Sequence, residues 1–148
     1  MSVSDFHWLQ MRIAEEKERR DRETMILDRL PQAAAQVEHA LATCVANYIA
    51  AFGPRAASIE SKDSVIHVVV REETAGVVWR ERSRIEVVSV PTIPGFQIDR
   101  AGSPLLIEVG LLPGEKLYYR DREKDQYLTM EELTRRILDR SMFPKLKE

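Results

Sequence analysis

Asp121, Glu123 and Asp125 stand at alternate positions, with Leu128, Thr129 and Glu132 following. That spacing imitates an EF-hand loop, in which side-chain oxygens at the first, third, fifth, ninth and twelfth positions surround calcium. Two departures weigh against the metal. The sixth position, where the loop needs a glycine, is Gln126, and Glu123 is one methylene longer than the usual aspartate. The preceding "LPGEKLYYR" reads as a turn and a strand, so the first helix of an EF-hand is missing. A second reading accounts for the same residues. Thr129 and Glu132 form a capping box, in which threonine caps a helix and the glutamate three residues on reaches back to it. The expectation is a polar turn, a short strand at Gln126–Leu128, a helix from about Met130 to Arg140, and no metal.

Arg80, Arg82 and Arg84 alternate along a predicted strand, which would set three guanidinium groups on one sheet face about 6.8 Å apart. Such a row can grip phosphates or carboxylates. It can equally be neutralised by glutamates on neighbouring strands. Tyr118, Tyr119 and Trp79 offer stacking surfaces nearby, although aromatics on a meander usually belong to the core.

His7, His39 and His67 fall on three separate elements, none with a ligand partner at metal-binding spacing. Cys44, the single cysteine, lies in an apolar stripe and reads as a small core residue. The chain has no phosphate-cradling glycine loop, no Cys-x-x-Cys pair and no Gly-x-Ser-x-Gly elbow. No side chain is therefore assigned a catalytic role, no cofactor is expected, and the protein reads as non-enzymatic.

The elements that must position these groups follow from periodicity. At 148 residues and 44% apolar content the chain suits one ordinary domain. Its formal charge of −2 gives no broad attraction to nucleic acid or acidic membranes. No window approaches the roughly 20 apolar residues of a membrane helix, and the N-terminus, with Asp5 and no apolar stretch, does not read as a signal peptide. A cytoplasmic location is the expectation.

Residues 5–52 read as helix, stopped by Gly53-Pro54, with Asp28 a candidate cap for a fresh start just before Pro31. Leu30, Ala34, Val37, Leu41, Cys44, Val45, Tyr48, Ile49 and Phe52 form a stripe to cover a sheet. From Ala56 the period switches to two. Val65–Arg71 is apolar on both faces, predicting a strand covered on each side. Short turns separate the strands that follow, so the sheet should be an antiparallel meander of about five to seven strands. The predicted fold is α+β: a meander packed by a long helix and a C-terminal helix, with a helical arm at residues 1–28 and the domain at 29–148.

The arm carries the most informative pattern. Ala14–Glu23 is charged at every position but the first, with opposite charges four residues apart that support a solvated helix. Beyond it, Phe6, Leu9 and Ile13 lie on one side and Trp8 and Met11 on another. A seven-residue register runs unbroken through Phe6, Leu9, Ile13, Glu16, Arg20, Glu23, Leu27, Leu30 and Ala34. Its charged middle argues against a continuous two-stranded coiled coil. An apolar tip needs a cover, and the expectation is a homodimer through the arm, each tip docked on the partner's body, or another protein partner. The leading function is thus a self-associating interaction module. An anion- or small-ligand-binding domain using Arg80, Arg82 and Arg84 is the alternative; nucleic acid is not expected to bind.

Overall fold

The computed structural model describes residues 6–100 and 104–144; the expected turn at 101–103, the first five residues of the arm and residues 145–148 lie outside the described residues. One helix, α1 (His7–Phe52), runs for 46 residues, about 69 Å at 1.5 Å per residue. Pro31 sits inside it, so the helix read over residues 5–52 is continuous and Asp28 does not cap a fresh start. The reason is local. Proline removes only the bond to the Leu27 carbonyl, it lies on the exposed side, and Leu30, Ala33 and Val37 hold the opposite side against the sheet. The helix ends as predicted at Gly53, whose left-handed backbone (φ 111°) lets its N–H donate to the Ile49 carbonyl.

Seven strands follow in chain order, each antiparallel to the next: β1 (Ala57–Lys62), β2 (Val65–Thr74), β3 (Val78–Val90), β4 (Gly95–Asp99), β5 (Leu105–Leu112), β6 (Lys116–Asp121) and β7 (Gln126–Leu128). The chain closes with α2 (Met130–Met142). This is the predicted α+β meander. The β1–β2 connection is the two-residue turn Asp63-Ser64, both left-handed, which matches the twist of a hairpin.

Both helices pack on one sheet face. Leu41, Val37 and Val45 of α1 and Leu133 and Ile137 of α2 meet Ile66, Val68, Val70, Ile85, Phe96 and Ile107 of the sheet. Tyr119 joins this core. Its hydroxyl donates to Gln36 Oε1 at 2.7 Å, and burial pushes the phenol up to about 12. The helix stripe is rotated slightly from the sequence reading: Ala33 is buried rather than Ala34, and Phe52 is exposed.

No described element covers the other sheet face, which corrects the expectation of two covered faces for β2. Val69 is buried there by its neighbours alone, between Ser58 and Arg84 in the register. Around it the face is made of cross-strand pairs, including Arg120–Glu108 at 3.2 Å and the Tyr118 and Tyr127 rings at 5.3 Å. Among its own rungs the pairing is regular except at one point on β3. Val70 faces Ser83 and Arg71 faces Glu81, so Arg82 is an extra residue, a β-bulge.

Candidate interaction surface

The arm leaves the body as bare helix. Residues 6–15 are all exposed, Trp8 at 67% and Met11 at 51%, with Phe6, Leu9 and Ile13 also open. These are the five side chains expected at an interface, and among the described residues nothing covers them. The charged staff behind them is laced together: Arg20 to Glu16 at 2.8 Å, Arg19 to Glu23 and to Glu16 at 2.7 Å each, and Arg12 to Glu15 at 3.3 Å. Hydrogen bonds from Arg19 and Arg20 pull the Glu16 carboxyl down to about 2. The arm runs beside the β5–β6 turn from about residue 18, where Glu18, Asp21, Arg22 and Met25 share a surface hollow with the turn; further on, Arg29 lies 3.5 Å from the Glu115 carboxylate and also donates to its carbonyl.

Where α1 enters the sheet, a half-open cleft of about 640 Å³ lies between the helix and the β1–β2 and β3–β4 ends. Leu27, Leu30, Pro31, Ala34 and Ala35 form its helical wall, and Ile66, Val87, Pro91 and Phe96 its sheet wall. The lining is mainly apolar, with Glu38, Ser61, Ser64 and Ser89 at intervals.

The three arginines do not form one row. At the bulge, Arg82 and Ser83 both turn toward α2: Arg82 Nη2 donates to the Ser141 and Met142 carbonyls at 2.6 and 2.9 Å, and Ser83 Oγ to Ser141 Oγ at 2.9 Å. Arg84 is neutralised, but by Glu81 of its own strand at 2.8 Å rather than by a glutamate on a neighbouring strand, and each holds the other in its charged form. Arg80 is exposed, opposite Glu72 in the register. A two-residue alternation hides no sign of a bulge, and so the sequence suggested one face.

The acidic stretch divides as the capping reading requires. Asp121 is buried, at 2% exposure; its Oδ1 accepts from the Glu123 and Lys124 amides and its Oδ2 from Arg136 Nη1 at 2.6 Å. Asp125, left-handed at φ 51°, turns instead to Arg120. Glu132 closes the capping box with Thr129, whose backbone and hydroxyl bonds lower its carboxyl. The three carboxylates therefore point to three different tasks, and the calcium-like spacing has a structural origin.

Arg136 belongs to a feature that sequence reasoning missed. A polar basin of about 450 Å³ is lined by Arg100, Arg136, Arg140, Arg135 and Lys124 together with Asp121, Glu123, Glu132 and Asp139. Burial, and then the nearby charge of Arg140, lower the Arg100 guanidinium. Arg100 and Arg136 are far apart in sequence, and no spacing signals their meeting.

His67 stands on the uncovered sheet face, its Nδ1 shielded from solvent and 3.9 Å from Glu86 Oε1, too long for a hydrogen bond. Cys44 packs against the core between α1 and α2, in keeping with its sequence reading. No helix of the described residues is long and apolar enough to cross a membrane. The chain matches no protein-family model, no curated protein and no solved structure.

Proposed function

We propose that the protein is a non-enzymatic, self-associating interaction module whose N-terminal arm forms the contact between two copies. One observation carries this reading: five large apolar side chains stand exposed at the end of a projecting helix. Burying each would stabilise an assembly by about 1.5–3 kcal/mol, a strong drive toward a covered state. The arm cannot reach back to its own core, because α1 continues without a break from the tip into the sheet.

Sedimentation and light scattering over a range of concentrations test the reading. The intact chain is expected at twice its monomer mass, with Trp8→Ser or Leu9→Ser shifting it toward monomer and leaving its circular dichroism unchanged. A monomer whose mass ratio is unaltered by deleting residues 1–13 would overturn it.

Anion binding stands second, and its best support is now the basin with Arg100, Arg136 and Arg140, not Arg80–Arg84. Four carboxylates share that basin, which weakens it as a site for phosphate. Phosphate titration followed by NMR shifts around Arg140 distinguishes the two.

A further inference from the structure

We infer that two arms pair antiparallel about a two-fold axis near residue 18, placing each apolar tip in the partner's helix–sheet cleft. This rests on the self-association proposed above and specifies its geometry. The seven-residue seam of the arm does not end at the body. Its members Leu27, Leu30 and Ala34 are themselves part of the cleft wall, so a helix lying along the seam is led into the cleft.

Charge then selects direction and register. In a parallel pair the seam would set Glu16, Arg20 and Glu23 each against its own copy, three like-charge layers. Antiparallel, about residue 18, Glu16 faces the partner's Arg20 and Arg20 the partner's Glu16. Arg20 engages its own Glu16 through Nε alone and is otherwise exposed, leaving its Nη groups for the second carboxylate. In the same register Leu9 meets the partner's Leu27 and Phe6 the partner's Leu30. Ile13 lies along the stem of the partner's Glu23, a carboxylate already held by Arg19 of its own chain. A shift of one heptad sets Glu16 against the partner's Leu27, or Leu9 against the partner's Arg20, and forfeits the match.

The tip's second apolar side also finds a use. Trp8 and Met11 lie off the seam, facing away from the partner helix and toward the sheet ends that form the other cleft wall. A segment wedged between a helix and a sheet needs apolar groups on both sides.

Thiol crosslinking in a Cys44→Ala background tests the geometry. Leu9→Cys and Leu27→Cys variants, mixed under mild oxidation, are expected to give a disulfide-linked pair, while Leu9→Cys alone gives none. Self-linking of Leu9→Cys would show a parallel arrangement and overturn the inference. Should either cysteine weaken assembly, charge exchange decides. Glu16→Arg or Arg20→Glu alone is expected to raise the dimer Kd about tenfold or more, and the double exchange to restore it to within about threefold. A dimer indifferent to these changes would refute the register and spare self-association; an intact chain that stays monomeric would refute both.

Discussion

The Arg82 guanidinium and the Ser141 carbonyl are joined at 2.6 Å, tying the middle of β3 to the last turn of α2. The bulge makes this contact possible, because regular pleating would send neighbouring residues 82 and 83 to opposite faces. A cation at the carbonyl end of a helix satisfies groups that have no partner within the helix and favours its dipole. Arg82→Ala is expected to lower stability by about 1–3 kcal/mol. Arg82→Lys should recover part of the loss, since one nitrogen, Nη2, serves both carbonyls and a lysine ammonium also carries several donors on one nitrogen. Urea denaturation measures both, and an unchanged midpoint in the alanine variant would refute the tie.

Asp121 is the buried charge on which the end of the meander depends. It organises the β6–β7 turn through two amides and anchors α2 through Arg136. Asp121→Ala should cost about 3 kcal/mol, the scale of leaving one member of a buried ion pair alone. Asp121→Asn retains the turn acceptor and should cost less. Equal losses in denaturant melts would mean that the turn acceptor adds nothing beyond the ion pair.

Two glycines separate backbone from side-chain crowding. A Cβ on Gly95 would stand 1.9 Å from the Ile107 carbonyl oxygen, so β4 and β5 would have to part. Gly95→Ala is expected to destabilise by about 1–3 kcal/mol. On Gly110 the obstacle is the Tyr118 ring, which can swing aside at the expense of its contact with Tyr127. Gly110→Ala should therefore show the smaller shift in thermal midpoint, and the reverse order would contradict this packing.

The arm's ion pairs predict a pH response of definite sign. Arg19 and Arg20 lower the Glu16 carboxyl from its ordinary 4.5 to about 2. A depressed carboxyl contributes fully above its unfolded value and loses that contribution as pH falls from there through about 2. Carbon-13 NMR should place the Glu16 titration near 2, and arm helicity should hold at pH 5 and decline at lower pH. Glu16→Gln should remove that part of the decline. A carboxyl titrating near 4.5 would mean that the pairs do not form in solution.

The elements themselves were legible from sequence because their signals are local. A two-residue period, Gly-Pro punctuation and the Thr129–Glu132 capping box each act within a few residues, so strands, meander and both helices could be read before any contact was known. The tip residues Phe6, Trp8, Leu9, Met11 and Ile13 were legible as an uncovered surface for the same reason. Pro31 left open whether one helix or two would form, because its cost is local, one lost bond, whereas the packing of Leu30, Ala33 and Val37 that outweighs it comes from strands far along the chain.

Sequence by itself determined the order of elements, the apolar tip and the charge pattern of the seam, all properties of one segment read alone. Tertiary structure decided where the three arginines went, that Arg100 and Arg136 share a basin, and that the seam runs into an apolar cleft. Those depend on a single extra residue in β3 and on which strand ends meet the helix. Bulges and distant contacts leave no period in the chain, since their energy comes from neighbours that only folding supplies.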